Sequence, residues 1–279
     1  MKKIIFAAFV TLAFFLSAEA PAQESLHDGH KAQLVAHRGG RFEADENTIP
    51  AFASALEAGI TGYELDVHRT ADNKFVIIHD FDISRRVVGE GTVEEMTLAQ
   101  IRALKTRDGN TVPTLQEVLD LFGKYDGIYV EFELKTTRED LYPEPVLTRF
   151  ADEIYAAISA ARPANSTYVF SSFDARILKY LNARHPGEPI MYITSQGCTG
   201  ETRAILKEIG IKRMACYRTR TTREEMDKAH EEGILINLWP TKDAVEVNLA
   251  YALGADYICT DRPRLICSLI DEGVIPVKK

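Results

Sequence analysis

Apolar and polar positions follow two rhythms along this chain. Short apolar runs occur at 34–38, 62–67, 75–79, 128–134, 167–173, 189–194, 213–217, 234–239 and 255–260. Their lengths and the turn residues between them predict strands. Between most of them lie segments with helical spacing, such as 174–185, 201–210, 223–233 and 243–254, and several end in Gly, which tolerates the left-handed position after a helix. Pro143 and Pro145 interrupt one helical segment among apolar residues and predict a bend there. Strand–helix alternation through a whole domain predicts a parallel sheet with helices outside it. Length and repeat count favour a β/α barrel of the TIM type. A doubly wound open sheet is the second choice, and no glycine-rich nucleotide fingerprint supports it. There are nine candidate strands for eight barrel positions. The runs at 62–67 and 75–79 are only seven residues apart, too few for a crossover helix. The segment 75–79 is therefore expected to fold back beside the second strand as an extra arm.

The start of the chain reads differently. Lys2 and Lys3 precede an apolar run from Ile4 to Leu16, followed by small residues at the cleavage spacing in Ala18–Ala20 and Ala20–Ala22. This is the pattern of a signal peptide over residues 1–22, with cleavage favoured after Ala22. It implies a soluble exported protein, periplasmic or secreted. No cysteine follows the apolar run, which argues against a lipid anchor, and no stable membrane anchor is expected. The remaining residues, 33–275, contain nothing that resembles a linker and are expected to form one domain. The formal net charge is −8 for the full sequence. Removing Lys2, Lys3 and Glu19 makes the body one charge more negative, which argues against nucleic acid as a partner. An anionic substrate would then depend on a few local cations or a metal. Cys198, Cys216, Cys259 and Cys267 show no zinc spacing. Export permits a disulfide, but no pair is identified, and Cys259 within an apolar run is expected to be a buried thiol.

Candidate chemistry concentrates where polar groups end or interrupt apolar runs, because such groups are costly unless they bind something or each other. His37-Arg38 follows the first run, Glu64 and Asp66 lie inside the second, and His79-Asp80 follows the third. Side chains alternate along a strand, so Glu64 and Asp66 share a face. Paired carboxylates repel, and a shared proton, a basic partner or a bound cation relieves them. Oxygen-only ligands favour Mg²⁺ or Ca²⁺ over zinc. The run at 128–134 repeats the arrangement, with Glu131, Glu133 and Lys135 on one face. Two acidic strands facing one interior, with Arg38 and Lys135 nearby, suit a metal together with a phosphate. His37 and His79 supply a proton donor and a proton acceptor for neutral pH. A glycosidase could use a carboxylate pair on a barrel, but it would not need two histidines beside Arg38 and Lys135. A non-catalytic exported binding protein would not need the acid/base set.

These residues resemble the glycerophosphodiester phosphodiesterase family. The resemblance rests on His37-Arg38-Gly39, Glu46-Asn47-Thr48, Glu64-Leu65-Asp66-Val67, His79-Asp80, Val112–Val118, Glu133-Leu134-Lys135, Ser172-Phe173 and Gly254–Pro263, in order over nearly the whole mature chain. It implies a barrel of the phospholipase C-like phosphodiesterase type. The implied reaction is metal-dependent hydrolysis of glycerophosphodiesters to glycerol 3-phosphate and an alcohol. Carried over by position, Glu64, Asp66 and Glu133 are the expected ligands of one divalent cation, Ca²⁺ or Mg²⁺. His37 and His79 are the expected acid/base pair, Arg38 and Lys135 the phosphate contacts, and Trp239 a wall of the substrate site. Which histidine is acid and which base stays open, as does water or the glycerol hydroxyl as nucleophile. The family's insertion corresponds to about residues 81–112. Asn47 is expected to cap the first helix, and Glu131 to sit a layer deeper than Glu133. Two positions depart from the family. Trp239 is followed by Pro240, Thr241 and Lys242 where Trp-Thr-Val-Asn is frequent, and Glu131 stands where a neutral residue is common. A lysophospholipase D-like or other phosphodiesterase on the same barrel is the nearest alternative. It would want a wide apolar mouth, and residues 81–112 show little sustained apolar surface.

Overall fold

Nine strands follow one another along the chain in the computed structural model, which describes residues 32–279. The expected leader at 1–22 lies outside the described residues. The strands are β1 (Gln33–His37), β2 (Gly62–Arg69), β3 (Phe75–Ile77), β4 (Tyr129–Leu134), β5 (Thr167–Ser172), β6 (Ile190–Ile193), β7 (Arg213–Tyr217), β8 (Leu235–Thr241) and β9 (Tyr257–Thr260). All but β3 pair in parallel, and β1 closes the ring by pairing with both β9 and β2. The eight-stranded parallel barrel expected from the sequence is thus present. β3 lies antiparallel against β2, with Val67 opposite Ile77 and Arg69 opposite Phe75. It is the predicted extra arm.

The helices are α1 (Ile49–Glu57), α2 (Leu98–Ala103), α3 (Leu115–Phe122), α4 (Glu144–Ala161), α5 (Ala175–Arg184), α6 (Gly200–Ile209), α7 (Arg223–Glu231), α8 (Ala244–Ala252) and α9 (Pro263–Asp271). Local chemistry sets their ends. Thr97, Thr114 and Thr199 close capping boxes before α2, α3 and α6, and Gly210 ends α6 in the left-handed conformation. Two expectations change here. Pro143 and Pro145 do not bend a helix: Pro143 stands at the N-cap of α4 and Pro145 in its first turn, where a missing N–H leaves no bond unmade. The cap of α1 is Thr48, whose hydroxyl accepts from the Ala51 amide, and not Asn47.

Alternation along the strands divides the core. Outward residues such as Tyr63, Leu65, Val67, Val130, Phe132 and Leu134 pack with the helices in the main hydrophobic cluster. Each such side chain contributes about 1.5–3 kcal/mol on burial. Inside the barrel a smaller cluster of Val35, Tyr129, Val169, Met191, Ile193, Ala215 and Cys259 fills the floor. The insertion at 81–112 has a core of its own, in which Ile83, Val87, Val93 and Ile101 pack against Val76 and Ile78. All four cysteines are buried free thiols. No helix among the described residues is long and apolar enough to cross a membrane.

Candidate active site

Strand register brings the acidic residues together at the C-terminal mouth of the barrel, the end where barrel sites form. His37 of β1 is in register with Glu64 of β2, and β2 aligns Glu64 with Glu131 and Asp66 with Glu133 of β4. Carboxylate oxygens of Glu64, Asp66 and Glu133 lie within 4.8 Å of one another, and all three residues are buried. A sharp turn after β1 adds the first cation. Arg38 (φ 53°) and Gly39 (φ 78°) both take left-handed conformations, and a Cβ on Gly39 would come within 2.9 Å of Ala51 Cβ. Only glycine suits that position. The turn aims the Arg38 amide at Glu64 Oε2, 3.1 Å away. It also sets the guanidinium 3.3 Å from Asp66 Oδ2 and 3.1 Å from Glu46 Oε1. Lys135 Nζ lies 2.6 Å from Glu133 and 3.3 Å from Asp66. Asn47 (φ 58°) donates to Asp66 Oδ2 at 2.8 Å.

The two strand-two carboxyls respond differently to this setting. Burial, then the neighbouring Asp66, push the Glu64 carboxyl well above its usual range, and Arg38 only partly offsets them. Asp66 is equally buried, but Lys135, His79, Arg38 and the Asn47 amide hold it far below the usual range. Burial works against the charge of Lys135, yet Glu133 and Asp66 raise its pKa. Three buried carboxylates therefore face two cations, since Arg86, 2.9 Å from Glu46, balances that residue. The excess charge beside Glu64 is what a bound cation would relieve. Asp66 Oδ1 is also buried and makes no hydrogen bond, with the Lys135 ammonium 3.3 Å away. A buried all-oxygen donor set fits a hard divalent ion, so the metal cluster expected from the sequence is geometrically coherent.

The histidines flank this cluster, each against a carboxylate of its own. His37 Nδ1 lies 2.5 Å from Asp261 Oδ1, just beyond β9, and Nε2 faces Glu64 Oε2 at 3.8 Å. Burial and the adjacent Arg38 lower the His37 pKa to about 4 despite Asp261. Burial opposes charge on Asp261, but His37 and Arg41 keep its carboxyl below the usual range. Asp261 thus accepts the Nδ1 proton, which leaves Nε2 as the basic nitrogen. His79 follows β3, and its Nδ1 lies 2.8 Å from Asp80 Oδ1, which Arg85 also approaches at 2.9 Å. Burial resists the ionisation of Asp80, yet His79 and the arginines lower its pKa.

His37, Arg38, Glu64, His79 and Glu133 line one cleft of about 440 Å³ with Phe173, Ile193, Ala215, Asn237, Trp239 and Cys259, and Asp66 and Lys135 pair with its wall. Trp239 stands edge-on to Phe173 and Tyr217, and its indole N–H is buried without a partner. β8 runs on through Pro240 to Thr241 with an irregular register against β9, past the expected end at 239. Lys242 is 59% exposed at its side chain and pairs with Glu246 at 3.6 Å, so it does not enter the cleft. Glu131 lies beside Glu64 in register, but Asn237 donates to both of its oxygens (2.8 and 2.9 Å) and Tyr129 to one (2.7 Å). Burial raises its pKa to about 7. The eight site residues expected from the sequence come together here. Asp261 and Glu46 carry no role expected from the sequence, although both stand in the motifs and Asp261 ends an apolar run as His37 does.

Similarity to known proteins agrees with this geometry. Residues 37–265 match the Glycerophosphoryl diester phosphodiesterase family. A glycerophosphodiester phosphodiesterase of Caldanaerobacter subterraneus subsp. tengcongensis is 28% identical over 250 residues, covering 87% of this chain and 99% of that protein. A phosphodiesterase of Oleispira antarctica, solved with its product sn-glycerol-3-phosphate, superposes with a TM-score of 0.76 at 25% identity, covering 86% of this chain and 97% of that one. A glycerophosphodiester phosphodiesterase of Thermotoga maritima gives 0.67 at 25% identity over 86% of this chain and 99% of that one. On the family match, spanning nearly all of the barrel and every residue of the acidic cluster, this chain belongs to the glycerophosphoryl diester phosphodiesterase family.

Proposed function

We propose that the protein hydrolyses glycerophosphodiesters to glycerol 3-phosphate and an alcohol, using His37 and His79 as the acid/base pair and one Ca²⁺ or Mg²⁺ ion held by Glu64, Asp66 and Glu133. The observation that carries this reading is the buried Glu64–Asp66–Glu133 cluster lying between two carboxylate-held histidines. The product bound to the Oleispira antarctica relative supports the substrate class. When bound, the cation supplies positive charge against the phosphate oxygens and the crowded transition state. Arg38 and Lys135 add fixed positive charge from buried, paired positions, where it acts most strongly. Three carboxylates, two basic side chains and a divalent ion leave one positive charge, which matches a phosphodiester monoanion. His37, with Nδ1 tied to Asp261, is set to take the nucleophile's proton through Nε2. His79 is more open, with 26% of its side chain exposed, and protonates the leaving oxygen. The buried indole N–H of Trp239 is a free donor toward the substrate. The basic-then-apolar start of the chain is consistent with export to the periplasm or medium.

The test is an assay of the purified mature protein against a panel of glycerophosphodiesters before and after exhaustive chelation. Glycerol 3-phosphate release that disappears with chelator and returns with Mg²⁺ or Ca²⁺ is expected. Full activity after chelation would remove the metal from the reaction.

A further inference from the structure

Beneath His79 lies a buried polar chain that the acid/base chemistry does not use. His68 extends the inward row of Glu64 and Asp66 by one more step of β2 and is fully buried. Its Nδ1 lies 2.6 Å from Glu94 Oε1, and its Nε2 donates to the main-chain carbonyl of His79 at 3.2 Å. Glu94 comes from a single 3₁₀ turn, Val93–Glu95, inside the insertion. Its Oε1 also accepts from the Tyr142 hydroxyl at 2.9 Å, and Tyr142, between β4 and α4, accepts from the Arg69 amide at 3.3 Å. Phe81 meets the His68 ring edge-on at 4.8 Å. Both ring nitrogens of His68 face oxygens, with Nε2–H donated to the carbonyl and one proton shared between Nδ1 and the Glu94 carboxyl, so a single ring orientation satisfies them, and a flipped ring would set carbon against oxygen.

We infer that His68, Glu94 and Tyr142 are positioning residues for His79, with the insertion at 81–112 delivering Glu94 to that chain. β3 is only three residues long and ends before His79. The His79 carbonyl is one residue removed from the Ile78 amide, which is bound to Asp66 O at 3.1 Å. The His68 bond therefore fixes the peptide that carries the imidazole, while Asp80 fixes the imidazole itself. Losing the chain leaves the cation ligands in place but lets the His79 peptide turn, a change that lowers turnover more than substrate or metal binding.

This inference rests on the proposed role of His79, and the experiment separates the two. Glu94→Gln and Tyr142→Phe are compared with His79→Ala and with the double variant Glu94→Gln/His79→Ala in the full mature protein. Carboxylate partners that orient metal-ligating histidines are typically worth about 10–100-fold, and the same scale is expected for a carboxylate that orients His68. Glu94→Gln is expected to lower kcat in that range, with KM and the Mg²⁺ titration near wild type, and to have no further effect once His79 is alanine. Glu94→Asp is expected to restore part of the loss. A Glu94→Gln loss of the same size in the His79→Ala background, or a loss that appears in KM or metal affinity, would overturn the positioning role. Near-normal turnover in His79→Ala would instead remove the catalytic reading. The positioning claim is then decided by the His79 ring resonances in NMR spectra, expected to shift or broaden in Glu94→Gln and refuted if unchanged.

Discussion

At the scale of single residues, the site distinguishes groups that look alike in sequence. Glu131 and Glu133 alternate onto the same face of β4, yet only Glu133 joins Glu64 and Asp66. Both oxygens of Glu131 are occupied by Asn237. Glu133→Gln is therefore expected to abolish tight Mg²⁺ or Ca²⁺ binding, while Glu131→Gln keeps it and mainly weakens folding stability, as read by calorimetric titration and thermal unfolding of the two variants. The reverse pattern would exchange their roles. Neither histidine is needed as a ligand for a hard cation. His37→Ala and His79→Ala should each lower kcat by about 10²–10⁴-fold with metal affinity nearly intact. Retained turnover in either would return that residue to a structural role. The sign of the pH dependence follows for His37. A base must be unprotonated to act, and burial beside Arg38 lowers this one from 6.5 to about 4. With saturating cation, the acid limb of kcat/KM should fall below the ordinary histidine range, and a limb at 6.5 would argue against His37 as the base.

Among the elements, the arm and the insertion behave as one unit. β3 has β2 as its strand neighbour and bridges through Val76 to Thr114 on its other edge, and Val76 and Ile78 complete the small core that holds Ile83, Val87, Val93 and Ile101. That core is separate from the one between barrel and helices. Fully buried Ile101 is the lever on it: Ile101→Ala should cost about 2–5 kcal/mol. The cost should appear as faster amide exchange over 75–112 before the strands of the barrel open. Activity should be lost with that local opening, because His79 and Glu94 both hang from it. Equal acceleration in β5 and β6 would show that the insertion unfolds only with the whole domain.

The whole molecule draws its stability from burial and strand closure, with no covalent cross-link between its cysteines. Cys198, Cys216, Cys259 and Cys267 are all buried free thiols, although the proposed export would carry the protein to a compartment where disulfides form. A reducing agent should leave the thermal midpoint unchanged, and a clear drop would show a disulfide in the protein as produced. The acidic body also leaves attraction of an anionic substrate to the cleft itself, where Arg38 and Lys135 are buried among carboxylates and a divalent ion would reverse the local sign.

Strand and helix order, the surplus strand and most of the cleft residues were legible in the sequence, because alternation and apolar runs are local signals that short stretches carry by themselves. The His37, Glu64, Asp66 and Glu133 positions stood out for the same reason: charge is costly inside an apolar strand unless it serves something. What the linear chain did not determine lies in contacts across long separations. The Asp261 partner of His37 is 224 residues away, Asn237 donates to both oxygens of Glu131 from across the barrel, and Glu94 reaches His68 out of the insertion. Even Asn47, a good cap by type, leaves α1 to Thr48 because its left-handed backbone turns its amide toward Asp66. Such pairings depend on barrel closure and strand register, which place side chains side by side irrespective of their distance along the chain.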